Sequence, residues 1–284
     1  MAMKTVIVIP ARYGSKRFPG KPLAILEGKT ILQRVWDIAS FVCTQVSDCT
    51  SVVATEPPSE ECPSNKIISF CECHKIPVII TPSTCRSGSD RVWSVVSHYA
   101  EKPDIIVNLQ GDVPTCPPDF IINLIGTLRN IPQANVATIY TKLRWESLDA
   151  LRVAKQLSPF SGTTLIVNQN GEALWFSKKI IPAIRDEDSL RQKSEWSPIC
   201  RHVGVYAYRY DALQTFAQSV QSQYEELEQL EQLRFLENGL KIIAIEGSYP
   251  CGYEDTISGI DSVKDLEYIA QIIRKHGEIL TFYQ

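Results

Sequence analysis

An α/β fold around a largely parallel sheet is predicted from two observations. Short β-branched, apolar runs alternate with amphipathic helical stretches through the first half of the chain, the pattern of strands joined by crossover helices. The first of these runs, Val6-Ile7-Val8-Ile9, halts at Pro10 and opens into a loop bearing Arg12, Lys16, Arg17 and Lys21, with no acidic residue among them. A buried strand that feeds a stiff cationic loop suits an open sheet whose ligands lie at the carboxyl ends of its strands.

Thr5 to Ile9 is the first strand. Thr30 to Phe41 reads as a helix, with Thr30 as its cap and Ile31, Val35, Ile38 and Ala39 on one face. Ser51 to Thr55 is a short second strand, and Glu56-Pro57-Pro58 begins a loop. Asn65 to His74 reads as a helix, Pro77 to Ile80 as a third strand and Gly88 to Ala100 as a helix with Val92, Val95, Val96 and Tyr99 inward. Asp104 to Asn108 is a fourth strand. Three loops therefore open at one end of the sheet: the cationic loop, the one before Gly88, and the one holding Asp112.

The second half is less regular. Val136 to Tyr140 is a strand, and Thr163 to Asn168 with Ala173 to Phe176 flank the turn signal Asn168-Gln169-Asn170-Gly171 of a hairpin. Ser177 to Ser197 is polar and irregular. Val203 to Tyr208 is a strand, Asp211 to Val220 a helix, and Tyr224 to Glu237 one strongly acidic helix whose charges read as a solvated face. Lys241 to Ile245 is a strand and Ser262 to His276 the closing helix. No repeat occurs, and no linker is long enough to separate independent domains, so the 284 residues are expected to share one core.

Composition narrows the function. Lys plus Arg number 29 against 32 Asp plus Glu, a net charge of −3, whereas a nucleic-acid binder is usually basic. No apolar run approaches the ~20 residues of a membrane span, and no basic region precedes an apolar one at the start. Nine cysteines, an odd number, are then expected as reduced thiols in the cytoplasm. Cys71-Glu72-Cys73 beside His74 lacks zinc-site spacing, although Cys62, Cys71 and Cys73 lie close enough in sequence to cross-link on oxidation.

In the cationic loop, glycine lets the backbone approach a ligand and proline fixes the path, while Arg and Lys supply donors for phosphate oxygens. The loop is not a Walker A site. Five residues separate Gly14 from Gly20, and Pro22 stands after Lys21 where a magnesium-binding hydroxyl belongs. In Thr84-Cys85-Arg86-Ser87-Gly88-Ser89-Asp90-Arg91, Ser87 and Ser89 can cap the next helix and Asp90 suits its dipole. Asn108-Leu109-Gln110-Gly111-Asp112 sets a carboxylate just beyond a buried strand, and Ser258-Gly259-Ile260-Asp261-Ser262 sets another at a helix entrance. Each suits a hard cation, and each equally suits a turn or a cap. His202, in Arg201-His202-Val203-Gly204-Val205-Tyr206, fits a structural role as well as a chemical one.

The run from Pro10 to Leu23 resembles the signature loop of the sugar-acid cytidylyltransferases, above all the branch acting on 3-deoxy-manno-octulosonate (Kdo). The likeness returns, in family order, at Asn108 to Asp112, Arg201 to Tyr206, Leu230-Glu231-Gln232-Leu233-Arg234 and Gly259-Ile260-Asp261. The resemblance implies a three-layer αβα, Rossmann-like nucleotidyltransferase fold of the nucleotide-diphospho-sugar transferase type, with a mostly parallel mixed sheet. It implies one domain over 1–284, residues 1–130 holding the nucleotide and 131–284 the acceptor and a homodimer contact. The implied reaction moves CMP from CTP to the anomeric hydroxyl of Kdo and releases pyrophosphate, for lipopolysaccharide synthesis, with Mg2+ as cofactor.

Residue by residue, the resemblance gives Arg12, Gly14, Ser15, Arg17, Lys21, Ser87, Gly88 and Arg91 to the nucleotide. It gives catalysis to Lys21, Arg12, Asp112 and Asp261, the two aspartates holding the metal. Gln110, Lys178, His202, Tyr206, Glu231 and Gln232 line the acceptor pocket, with Arg185 a further cation nearby in sequence. Three positions depart from the family: Lys178 stands for arginine, Val113 for glutamate and Thr164 for lysine. Lysine offers a point charge where arginine grips a carboxylate with two bonds. The departures leave open another acceptor, such as 8-amino-Kdo or a sialic acid, a transferase for neutral sugars, and a nucleotide-binding protein without chemistry.

Overall fold

The computed structural model describes residues 3–14, 18–58, 65–254, 256 and 259–283. The chain runs β1 (Thr5–Pro10), β2 (Ile25–Leu26), β3 (Lys29–Thr30), α1 (Ile31–Gln45), β4 (Cys49–Thr55), α2 (Lys66–Cys73), β5 (Val78–Ile80), α3 (Gly88–Val96) and β6 (Ile105–Leu109). It continues through α4 (Pro118–Asn130), β7 (Val136–Arg144), α5 (Trp145–Leu157), β8 (Thr164–Val167), β9 (Ala173–Ser177), α6 (Glu187–Lys193) and β10 (Trp196–Arg209). It closes with α7 (Tyr210–Gln218), α8 (Gln223–Glu228), α9 (Gln232–Glu237), β11 (Ile242–Glu246) and α10 (Val263–His276).

Seven strands form the main path of the sheet in the order β11-β7-β10-β6-β1-β4-β5, and β8 and β9 extend it as a hairpin joined to β10. β1 pairs in parallel with β4 and β6, as do β4 with β5 and β11 with β7. β10 alone on this path runs antiparallel, between β6 and β7. The alternation of strand side chains builds the layers. Ile7 and Ile9 of β1 join a core with α1, α2 and α4, while Val6 and Val8 join one with α3, α7 and α9. Both faces of the sheet are covered, which is why its strands read as continuous apolar runs.

Four segments differ from the sequence reading. α4 opens on Pro117-Pro118 with a proline at its first position, where the missing N–H costs nothing. α5 and α6 occupy stretches read as unassigned or irregular, and Arg152 and Arg191 tie α6 to α5 through Glu187 and Asp149. The single acidic helix is two, α8 and α9, parted at Gln229 with φ 53°. Its face is not all solvated: Glu225 is buried and accepts from Arg234 Nε at 2.6 Å and Nη2 at 2.5 Å. Finally, Cys71 is buried and Cys73 exposed, Cys62 lies outside the described residues, and the eight described cysteines are free.

Candidate active site

The site grows from two loops that touch. Gly111 N–H donates to the carbonyl of Pro10 at 3.2 Å, and a Cβ on Gly111 would lie 2.8 Å from that oxygen. Glycine is therefore what lets the loops after β1 and β6 meet. Asp112 follows, and Lys21 reaches it: Nζ donates to Asp112 Oδ2 at 2.5 Å and to Asp261 Oδ1 at 3.4 Å. The Ile260 N–H donates to the Asp112 carbonyl at 2.9 Å, joining the third loop to the second. Ser262 caps α10 in a reciprocal box with Asp265, so capping is not what holds the Asp261 carboxylate. Both aspartates keep solvent access, 29% and 50% exposed, while Lys21 is 12% exposed. Two hard oxygen donors facing one place fit a divalent cation whose other ligands are water and phosphate oxygens.

Beside this centre, Gly14 N–H donates to Glu56 Oε1 at 3.3 Å. Glu56 also lies 3.9 Å from the guanidinium of Arg91, which is buried and bonds the Thr81 hydroxyl. Arg12 is exposed and acts on Arg91 as a like charge. Ser15, Lys16 and Arg17 lie outside the described residues. Ser87 caps α3 by accepting from Asp90 N–H at 3.1 Å, and the Asp90 carboxylate returns the bond to Ser87 N–H at 3.1 Å. Asp90 is thus a cap, as its position suggested. A Cβ on Gly88 would fall 2.7 Å from Gln110 Nε2, so the Gln110 amide rests on the first turn of α3.

A buried polar network joins the loop after β6 to the first turn of α3 and the start of α9. Gln110 Nε2 donates to Asn108 Oδ1 at 3.2 Å, and Asn108 Nδ2 reaches Ser89 Oγ and Tyr208 Oη, each at 3.4 Å. Ser89 Oγ and Tyr208 Oη lie 2.8 Å apart, and Ser89 N–H donates to Glu231 Oε2 at 3.3 Å. Burial pushes the Glu231 carboxyl up, against the pull of hydrogen bonds from Ser87 and Ser89. Gln232 is 2% exposed, and its Nε2 has no hydrogen-bond partner, an orphaned donor of the kind a bound polar ligand satisfies.

His202 is buried, with Nε2 at 2.9 Å from Thr138 Oγ1 and its ring 5.1 Å from Phe176 and 5.4 Å from Tyr206. Burial, and then the charge of Lys178, hold its pKa down at about 3. Burial and the nearby Glu231 push the Tyr206 hydroxyl well above its usual range. Lys178 Nζ donates to Thr163 Oγ1 at 3.2 Å. Arg185 is exposed ahead of α6 and makes no hydrogen bond or ion pair among the described residues, so nothing in the fold draws it to the pocket.

The fold thus brings together Lys21, Asp112 and Asp261, and separately Gln110, Glu231, His202, Tyr206 and Lys178. Sequence reasoning missed Glu56, Ser89, Asn108 and Tyr208. Asn108 and Ser89 stood inside quoted motifs, but Ser89, read as a possible cap, is buried inside the first turn with its hydroxyl on Tyr208 while Ser87 does the capping. Apart from the Gln110 bond to Asn108, the partners of these residues are distant in sequence and carry no local signal.

His202 gives a pH test. The unfolded imidazole takes its proton near 6.5 and the folded one near 3. Between those values the unfolded state binds more protons, so stability falls as pH falls. The expected loss is roughly 3 kcal/mol between pH 6.5 and 4. Urea unfolding across that range should show a shallower slope for His202→Asn, and equal slopes would place the imidazole in solvent.

The cytidylyltransferase family model matches residues 6–242. The 3-deoxy-manno-octulosonate cytidylyltransferase of Maricaulis maris is 34% identical over 278 residues, covering 98% of this chain and 100% of that one. The Escherichia coli protein of the same name is 36% identical over 264 residues, covering 93% and 96%. A solved CMP:2-keto-3-deoxy-manno-octonic acid synthetase complexed with CTP superimposes with a TM-score of 0.76 at 32% identity, covering 96% of this chain and 99% of that one. On motif, fold and relatives alike, the chain belongs to the cytidylyltransferase family and groups with the 3-deoxy-manno-octulosonate cytidylyltransferases.

Proposed function

We propose that the chain transfers CMP from CTP to the anomeric hydroxyl of Kdo. The observation that carries this reading is Lys21 Nζ set between Asp112 and Asp261 where three loops meet, beside a buried pocket of hydrogen-bonding side chains. The acceptor hydroxyl oxygen bonds the α-phosphorus and gives its proton up to water, as the bond from that phosphorus to pyrophosphate breaks. Lys21, with Arg12 and Arg17, neutralises triphosphate charge, and Gly14, Ser15, Ser87, Gly88 and Arg91 frame the nucleotide. Gln110, Lys178, Tyr206, Glu231 and Gln232 orient the sugar acid. His202, neutral down to about pH 3, orients by hydrogen bonding and is a poor proton acceptor. Asp112 and Asp261 would hold Mg2+, whose chemistry is to neutralise phosphate charge and lower the pKa of a bound hydroxyl. The protein's own part is positioning and fixed charge. The reading places both half-sites in one domain, with a homodimer contact in 131–284, serving lipopolysaccharide synthesis in the cytoplasm.

Pyrophosphate release from CTP and magnesium tests it, with Kdo, 8-amino-Kdo, a sialic acid or no acceptor. Release that needs both CTP and Kdo is expected. Release with another sugar acid alone moves the specificity, and no release with any of them, while CTP still binds, removes the enzyme reading.

A further inference from the structure

The backbone that carries Lys178 is held by side chains from three other elements. Glu228 on α8 accepts from the Lys178 N–H and from the Ser177 hydroxyl, both at 2.7 Å. Lys155 on α5 donates to the Lys178 carbonyl at 2.6 Å, to the Gly162 carbonyl at 3.1 Å, and to the Ser161 carbonyl. Thr164 on β8 donates to the Lys179 carbonyl at 2.7 Å and accepts from the Ile181 N–H at 3.0 Å. Loop backbone groups more often turn to water or to other backbone; here five of them, from 178 to 181, are fixed by side chains, the fifth being the Lys179 N–H, which donates to Ser177 Oγ at 2.9 Å.

Charge makes the arrangement costly without a purpose. Lys155 is partly buried, and burial, then Lys178 and Lys179, pull its pKa below the ordinary lysine value, with Glu228 opposing. Like charges brought this close repel more strongly where water is scarce. The Lys155 donors all go to carbonyls and Glu228 opposes the repulsion, so Lys155 and Glu228 hold the backbone and the Lys178 ammonium is the cation left to face a ligand. Two of the three family departures also meet here. Thr164 stands where the resemblance calls for lysine; its hydroxyl holds the backbone at 179 and 181, and the Lys155 ammonium, from a different element, holds the Lys178 carbonyl. Lys178 stands where it calls for arginine. A guanidinium brings its own planar fork, whereas an ammonium on a flexible stem depends on what fixes its base and, at its tip, on a contact such as the one to Thr163 Oγ1 at 3.2 Å.

We infer that Lys155 and Glu228 are positioning residues that pin the Lys178 backbone, so that the Lys178 ammonium meets the carboxylate of the sugar-acid acceptor beside Thr163 and His202. The inference rests on the proposed reaction and adds to it the device that lets lysine replace arginine.

The test is steady-state kinetics of the full chain with CTP and Kdo. Lys155→Met and Glu228→Gln should each raise the KM for Kdo about tenfold while leaving the KM for CTP within about twofold. Lys155→Arg should recover part of the loss, since it keeps the charge and the donors. Lys178→Met should raise the Kdo KM at least as far, and adding Lys155→Met to it should change nothing more, because the two act through one contact. Thermal melting of each variant confirms that it is folded. Unchanged Kdo KM in Lys155→Met and Glu228→Gln, with a raised one in Lys178→Met, overturns the positioning role alone. Independent, additive losses in the double variant also overturn it. An unchanged Kdo KM in Lys178→Met removes that residue from the acceptor site and the inference with it. A wild-type chain that turns over no sugar acid removes the reaction itself.

Discussion

Lys21→Ala should lower kcat by about a hundredfold to a thousandfold, the range seen when one preorganised donor is taken from a developing anion. The KM for the acceptor should move little, because Lys21 faces the nucleotide side. The lysine is 12% exposed and bonds both Asp112 and Asp261, so its loss has two effects that act together. The triphosphate loses a neutralising charge, and two carboxylates are left facing each other without a counter-cation. The second effect has its own signature: without nucleotide or metal, the variant should melt below wild type, and magnesium should recover more stability in it than in wild type. Kinetics with saturating CTP and Kdo, alongside melting curves with and without magnesium, read both. A Lys21→Ala enzyme within threefold of wild-type kcat would remove Lys21 from the reaction centre.

Arg234→Met should cost about 3–5 kcal/mol of stability, the usual consequence of leaving one member of a buried ion pair alone. Arg234 and Glu225 side chains are 7% and 5% exposed. The guanidinium makes two bonds to the carboxylate, a third to the Phe216 carbonyl at 3.1 Å, and lies 3.9 Å from the Phe216 ring centroid. Those contacts fix α9 against α8 and α7, and α9 begins one residue after Glu231. The variant should therefore lose acceptor affinity as well as stability. The double variant Arg234→Met with Glu225→Leu should be more stable than Arg234→Met alone, because the stranded carboxylate is gone. Urea unfolding of the four proteins decides it. Equal stability of the single variant and wild type would mean that the pair is solvated.

Much of this architecture is legible in the residues. β1, β4 and β6 announce themselves because a sheet covered on both faces requires apolar, β-branched runs. The α10 cap is legible because Ser262 and Asp265 sit at capping-box spacing. Lys21, Asp112 and Asp261, the three charged groups that the loops bring together, lie in motifs with glycines. What stays hidden is long-range. The stretch from 113 to 135 is left unassigned by the sequence, yet Pro117-Pro118 start α4 there. Glu225 belongs to an acidic stretch, and only the backbone reversal at Gln229 and the folding back of Arg234 show that it is buried. Lys155 and Glu228 lie 23 and 50 residues from Lys178, and no local pattern encodes such a meeting.

The antiparallel placement of β10 has a consequence for how the chain is made. β6 is wholly buried, with β1 on one side and β10 on the other. β1, β4 and β5 leave the ribosome before it, but Val205 to Arg209, which complete its other edge, follow about a hundred residues later. At a synthesis rate of roughly 5–20 residues per second, the nascent chain carries Ile105–Leu109 as an open apolar rim for on the order of 5–20 seconds. Such a rim is a template for wrong pairing. The interval between the two halves is therefore where a chaperone is most needed, and a fragment ending near residue 130 would keep that rim for good.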